Sequence, residues 1–366
     1  MSKNIVITGI TGQDGSHMLD YLLKITDYNI IGTVRLLSNV NYVHINHNIG
    51  NPRLTLAYMD LTDEHSISNI IKTYTPVFFI NFAAQSFVGE SWNQPTLTFM
   101  SNTISIIHIL ENIRQYVPTC RFYSAGSSEE FGDVDTTPQT LKHPLKPRSP
   151  YGASKCAARH IVKVYRDSYN LFAIHCVLFN HEGTRRGKKF VTRKITHNLS
   201  KIKYQIKTNG TIIPFELGNI YTTRDWSDSE DFVQAVWIML NRKNAKEYIL
   251  SFTKSLKAVW IMLNRKNAKE YILSSNTSHS IKEFIDVCCE ILDIDCVWDI
   301  HDDPLQTKLL YKNQPIITIS EKFYRPAEVE SLQGDSSITY KELNWKPRTS
   351  FKDLVKKMCT NEKKKI

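Results

Sequence analysis

Tyr151 and Lys155 stand one helical turn apart, so a helix through them would carry a phenol and an ammonium on the same face. A fixed positive charge beside a tyrosine favours phenolate, lowering its pKa toward a value at which it can act as a base. Upstream, Ser124-Ala125-Gly126-Ser127-Ser128-Glu129 supplies hydroxyls and one carboxylate. Each residue also has a plain reading: Tyr-x-x-x-Lys spacing arises by chance, and a lone Glu129 would be a surface carboxylate. Their order behind a third feature, a glycine-rich turn, points to a site.

That turn is Val6-Ile7-Thr8-Gly9-Ile10-Thr11-Gly12-Gln13-Asp14-Gly15, which reads as strand, tight turn and helix start. Gly9 permits the turn, Gly12 lets a pyrophosphate approach the backbone at the helix N-terminus, and Gly15 lets helix pack on strand. The spacing predicts a dinucleotide site, and a bound nicotinamide cation would add to the pull toward Tyr151 phenolate. No carboxylate lies between Ile30 and Pro52 to bind ribose hydroxyls, whereas Arg35 could neutralise a 2′-phosphate, so NADP is expected. Asp60 and Leu61 are placed to meet the adenine. Ala83, Ala84, Gln85 and Ser86 close the next strand with small residues that let a cofactor lie near the backbone.

Positioning these groups requires alternating strands and helices. β-rich runs at 4–8, 29–34, 54–59, 77–82, 121–125 and 173–179 lack strict alternation, as strands buried on both faces do. Stretches such as 63–74, 101–116 and 151–169 carry apolar residues at helical spacing. The pattern predicts an α/β chain with a doubly wound parallel sheet, whose C-terminal strand ends hold the ligand. Beyond Phe179 it becomes irregular, and a smaller, mixed substrate-binding domain is expected there. Residues 1–180 would form the cofactor domain, 181–366 mainly the substrate domain, and segments near 218–250 would return to the first.

Residues 235–251 recur without change at 258–274. Repeat folds are built from several divergent copies, so two identical ones indicate a tandem duplication rather than a solenoid. One helix-then-strand passage needs only one copy, so part of 235–257 or of 252–274 is expected to be extruded.

The chain has 366 residues, a net charge of +10 and seven scattered cysteines. The cysteines have no metal-knuckle spacing and are read as reduced, with no metal expected. The apolar stretch 77–84 is too short to cross a bilayer and no signal-peptide pattern opens the chain, so a cytoplasmic protein with no membrane partner is expected. Lys356, Lys357, Lys363, Lys364 and Lys365 form a basic tail without a nucleic-acid motif, read as a solvated, frayed terminus.

Further motifs identify a resemblance. Gly9-Ile10-Thr11-Gly12-Gln13-Asp14-Gly15-Ser16 and Arg148-Ser149-Pro150-Tyr151 are shared across the extended short-chain dehydrogenase superfamily, with its Rossmann-like fold. Phe179-Asn180-His181-Glu182, Arg185-Arg186-Gly187, Phe190-Val191-Thr192-Arg193-Lys194-Ile195, Leu217-Gly218-Asn219, Arg224-Asp225-Trp226, Arg325-Pro326-Ala327-Glu328-Val329 and Gly334-Asp335 extend the match. Over nearly its whole length, apart from the duplication, the chain is similar to GDP-mannose 4,6-dehydratases.

The resemblance implies that Tyr151 takes the 4-hydroxyl proton of GDP-mannose and that Glu129 takes the C5 proton and assists loss of the 6-hydroxyl as water. NADP would accept hydride from C4 and return it to C6. Ser127 occupies the place of a threonine that bonds O4, and Lys155 would bind the nicotinamide ribose. His181 and Arg186 match residues near the cofactor. Ser86, Ser128, Asn180, Thr192, Lys194, Gly218, Arg224, Arg325 and Glu328 match the GDP-sugar site. Gly126 stands for a serine, Gly183-Thr184 for Ser-Pro and Leu36-Leu37 for Arg-Ser; the loop after Arg35 is altered, so a homodimer is expected, with a homotetramer as the alternative. Two other readings stay open: another sugar-nucleotide enzyme of the superfamily, or a non-catalytic NADP-sensing protein.

Overall fold

The computed structural model describes residues 3–38, 41–241, 269–325 and 327–365. Six expected strands form: β1 (Asn4–Thr8), β2 (Asn29–Val34), β3 (Leu54–Tyr58), β4 (Phe78–Asn81), β5 (Arg121–Ala125) and β6 (Ala173–Leu178). All pair in parallel, in the order β3-β2-β1-β4-β5-β6, and the strand Tyr271–Leu273 adds in parallel beside β6. The chain runs from β1 outward through β2 to β3 on one side and then crosses back to β4 on the other side of β1, so a crevice opens at the C-terminal ends of β1 and β4.

Both faces of the sheet are buried, which explains the continuous apolar runs. Along β1, Ile5 and Ile7 face one core with Met18, Leu19 and Leu22 of α1 (Gln13–Ile25). Val6 faces the other, with Ile67 and Ile71 of α2 (Glu64–Tyr74). The expected helix at 101–116 is longer and less regular. A short helix, α3 (Pro95–Phe99), runs through a π-helical turn, Met100–Ile104, into α4 (Ser105–Tyr116).

α5 (Pro150–Tyr169) carries Tyr151 and Lys155. The Ser149 hydroxyl accepts the Gly152 N–H at 3.0 Å, Pro150 occupies the first turn, and Asn170 ends the helix in the left-handed region. Its inner face runs through Tyr151, Ser154, Lys155, Ala158, Arg159 and Val162, a helical stripe.

Beyond β6 the elements are short. Three small sheets include the pair Asn180–Glu182 and Trp226–Asp228 and a four-stranded sheet containing Phe215–Leu217. A separate core joins Ile195 and Leu199 of α6 (Val191–Lys207) to Phe284 and Cys288 of helix Ile281–Leu292 and to Leu354, Val355 and Met358 of helix Phe351–Lys363.

That last helix corrects the expectation of a frayed tail. An apolar face at helical spacing docks it, Lys357 bonds Asp228 and Glu230 at 2.7 Å each, and Glu362 pairs with Arg193 and His197. Six of the seven cysteines are buried, and Cys296 is partly exposed.

The duplicated copies divide the work. The first supplies the C-terminal half of α7 (Ser229–Asn241), packed on the main sheet through Trp237, Met239 and Leu240. The second supplies the edge strand Tyr271–Leu273. Each described part does what one undivided copy would do. The expected extrusion of the remaining duplicate falls on 242–268 and lies outside the described residues.

Candidate active site

At the β1–α1 turn, Gly9 has φ +67 and its carbonyl accepts the Gly12 N–H at 2.9 Å. A Cβ at Gly15 would stand 2.3 Å from the Gly9 oxygen, so only glycine lets the helix lie this close. Gly12 caps α1 without a side-chain acceptor, which leaves the first-turn N–H groups to an anion. Thr11 is half-buried beside it. The turn is braced against β4, for the Thr8 hydroxyl donates to Asn81 at 2.6 Å and accepts the Ala83 N–H at 3.0 Å.

Gln13 and Asp14 do not face outward. Asp14 pairs with the His181 ring at 2.9 Å, and the Gln13 amide donates to the His181 carbonyl at 3.1 Å. Burial works against the Asp14 charge, but His181 outweighs it and brings the carboxyl down to about 2. The His181 pKa is raised: burial opposes the charge, and Asp14 more than offsets it. The imidazole also lies against the Phe232 ring, 4.9 Å between centroids, so His181 ties α1 to α7.

Along the crevice, Arg35 is exposed just beyond β2. Asp60 accepts the Thr62 N–H and hydroxyl at 2.8 and 2.7 Å, with Leu61 between them. Beyond β4, Ala84 is half-buried and Ser86 exposed. Gln85 is held by Asn102, whose side chain accepts the Gln85 N–H at 2.9 Å and donates to its carbonyl at 3.0 Å and to the Ser154 hydroxyl at 3.0 Å. Ser154 in turn donates to the Tyr151 carbonyl at 2.7 Å. Asn102 therefore clamps the loop after β4 to the first turn of α5. It sits in the π-helical turn, a device that re-aims side chains at functional sites. Sequence periodicity gave no sign of it.

After β5 the chain turns through a short 3₁₀ helix, Ser128–Glu130, capped by Ser127. Ser127 is buried against Tyr151, Ser128 is buried within the turn, and Glu129 is nearly buried at the mouth. The structure corrects the expected electrostatics. Burial pushes the Tyr151 phenol up to about 12, helped by Glu129 and Glu130 and opposed by the Ser127 hydroxyl and Arg186. Lys155 donates to the Ala125 carbonyl at 2.8 Å and stands 5.8 Å from the Tyr151 ring centre. Burial draws its ammonium down to about 8, with Glu130 opposing. Spacing alone hid this: desolvation of the buried phenol outweighs the Ser127 hydroxyl and the Arg186 charge, which favour phenolate.

The later elements close the crevice with charge. Arg325 donates to Glu129 at 3.2 Å, and Arg224 donates to Glu328 at 3.2 Å. Glu328 also lies 3.9 Å from Arg325, so two guanidiniums and two carboxylates meet at the mouth. Arg186 pairs with buried Glu182 at 2.9 Å and lies over the Phe190 ring. The Thr192 hydroxyl donates to the same Glu182 at 2.6 Å and is buried, so in this conformation it supports Arg186 and does not face a ligand. Lys194 lies 3.5 Å from the centre of the Phe323 ring. Asn180 pairs with Trp226 across the small parallel sheet. Gly218 lies where a Cβ would meet the Phe323 carbonyl at 2.6 Å.

Comparisons with known proteins decide the family. The pattern described as GDP-mannose 4,6 dehydratase matches residues 6–257 and 252–358. A GDP-mannose 4,6 dehydratase of Drosophila melanogaster is 36% identical, over 97% of this chain and 85% of its own length. One from Vibrio cholerae is 30% identical over 100% and 95%. The chain belongs to the GDP-mannose 4,6-dehydratase family.

Solved structures agree on the fold. A dTDP-glucose 4,6-dehydratase from Bacillus anthracis in complex with NAD superposes with a TM-score of 0.74 at 19% identity, covering 99% of this chain and 97% of that one. A UDP-glucose 4-epimerase from Thermotoga maritima gives 0.75 at 18%, covering 99% and 98%. Within Arg224-Asp225-Trp226, the structure separates three duties. Arg224 faces the crevice. Asp225, raised by burial to about 6, accepts the Ser275 N–H and hydroxyl at 2.6 Å each. Trp226 packs in the C-terminal core, stacked on Phe351.

Proposed function

We propose that this chain is an NADP-dependent GDP-mannose 4,6-dehydratase, which converts GDP-D-mannose to GDP-4-dehydro-6-deoxy-D-mannose and water, opening GDP-L-fucose or GDP-D-rhamnose synthesis. The observation that carries the reading is Glu129. It joins Ser127, Tyr151 and Lys155 at the strand ends, and it also meets Arg325 from the far side of the crevice. A carboxylate there can serve a sugar whose diphosphate lies on the guanidiniums.

The glycine turn fits a dinucleotide: the first turn of α1 has no side-chain cap, and Gly15 lets the helix start close to the Gly9 turn, as pyrophosphate binding at a helix N-terminus requires. Arg35, exposed beyond β2, suits a 2′-phosphate and supports NADP over NAD. When bound, the nicotinamide supplies hydride acceptance from C4 and hydride return to C6, leaving no net redox change. Its positive ring would also offset the burial that holds Tyr151 as a phenol.

Tyr151 takes the 4-hydroxyl proton while Ser127 bonds O4 and Lys155 fixes the ribose. The C4 ketone acidifies C5, and Glu129 removes that proton and delivers it to the departing 6-hydroxyl, which leaves as water. As hydride returns to C6, C5 regains one proton, balancing the one Tyr151 took from O4. Arg325 holds Glu129 before substrate binds; a diphosphate drawing the guanidinium away frees the carboxylate for C5. Two lobes, with the substrate lobe beginning near 181, and assembly as a homodimer belong to the same reading. Mass spectrometry of GDP-mannose incubated with the protein and NADP⁺ tests it. Loss of one water without accumulating NADPH is expected; intact GDP-mannose beside folded, NADP-bound protein overturns it.

A further inference from the structure

Behind the catalytic turn lies a buried polar group that the reaction does not use directly. Glu130 is fully buried, and its Oε1 accepts the Ser127 N–H at 2.7 Å. His175 on β6 is also fully buried, and its Nε2 meets the same oxygen at 2.9 Å. A carboxylate oxygen accepts, so Nε2 carries the proton. Nδ1 is buried and has no hydrogen-bond partner among the described residues. Gly126 makes the approach possible: a Cβ there would stand 2.3 Å from His175 Nε2 and 2.7 Å from Glu130 Oε1. A small residue, a carboxylate and an imidazole thus fit as one unit.

We infer that Glu130 and His175 are a positioning pair for dehydration, fixing the Ser127–Glu129 turn against Tyr151 through the Ser127 N–H. This rests on the dehydratase reading above. The pair acts on geometry because it holds the Ser127 N–H at 2.7 Å, next to the hydroxyl that accepts the Glu129 N–H at 3.3 Å and faces Tyr151. It also acts on charge. Glu130 is faced from α5 by Arg159 at 3.8 Å, by Tyr151, by Lys155 and by Cys156, and from β6 by His175 and Cys176. Arg159 is shared with Glu270 at 3.0 Å. The Glu130 charge disfavours the Tyr151 phenolate and favours the Lys155 ammonium.

Glu130→Gln keeps an acceptor and removes the charge, His175→Gln keeps a donor, and Glu130→Ala removes both functions of Glu130. The readouts are kcat per bound NADP⁺, KM for GDP-mannose, and the pH profile of kcat. Glu130→Ala is expected to lower kcat roughly ten- to a hundred-fold with little change in KM, as misplacement of a catalytic group does. Glu130→Gln should restore most of that kcat and move both limbs of the profile to lower pH. His175→Gln should retain more activity than His175→Ala. If Glu130→Ala does not fold, the two glutamine variants carry the test. A Glu130→Gln profile superimposable on wild type, with His175→Ala at full kcat, overturns the pair. Wild-type protein that binds NADP⁺ but leaves GDP-mannose intact overturns the functional reading instead, and is recognised before any variant is compared.

Discussion

At the scale of single residues, burial decides most of the chemistry. Tyr151 and Lys155 lie one turn apart, as the spacing requires, yet desolvation holds the first as a phenol and weakens the second as an ammonium. The Lys155 ammonium is lost as pH rises through about 8, so NADP⁺ affinity is expected to fall across that value. Titrating the NADP⁺ Kd from pH 6 to about 9 checks this, and Lys155→Met should flatten the curve. Asp14 is the opposite case, a carboxylate whose folded pKa is depressed to about 2 from 3.8. Its stabilisation is complete above 3.8 and disappears as pH falls toward 2. Asp14→Asn is expected to cost on the order of 2 kcal/mol at neutral pH and progressively less below pH ~4, measured by urea unfolding.

At the scale of elements, turns and caps explain why local reading succeeded. β1, β2, β5 and the catalytic helix fall where patterning placed them, because each has a buried face and a clear stop signal. The π-helical turn around Asn102 escaped, since Met100–Ile104 is five residues at the start of the expected helix, too short for apolar spacing to register it. The duplicated stretch draws its described helix from one copy and its described strand from the other. Trp237 and Leu240 of the first copy are helical, whereas Tyr271 to Leu273 of the second form an edge strand. Deleting 252–274 leaves one copy with its helix and strand residues both present. That variant is expected to fold with an equal or higher Tm and to keep turnover, because the shortened connection still spans an ordinary helix-to-strand loop. A collapse in Tm by calorimetry would show that the second copy contributes more than its strand.

At the scale of the molecule, the crevice is closed by contacts from opposite ends of the chain. Glu129 and Arg325 are nearly two hundred positions apart in sequence and meet at 3.2 Å. Arg325→Met is expected to raise KM for GDP-mannose roughly ten- to a hundred-fold, the worth of a charge-assisted hydrogen bond, with a smaller effect on kcat. Steady-state kinetics separates the two, and an unchanged KM would remove Arg325 from the diphosphate site. The same reach explains the C-terminal helix. Five lysines in a short tail look solvated, but Lys357 and Glu362 are spent on Asp228, Glu230, Arg193 and His197.

The sequence by itself determined what depends on near neighbours: the glycine turn, the one-turn spacing of Tyr151 and Lys155, the strand runs, and motifs specific enough to reach the family. Tertiary structure alone decided which partner each charge takes. Thr192 supports Glu182 and Arg186, Asp14 takes His181, and Glu130 finds His175 through the gap left by Gly126. The reason is physical: periodicity and turn chemistry are local, whereas desolvation and ion pairing depend on residues brought together only when both faces of the sheet are covered.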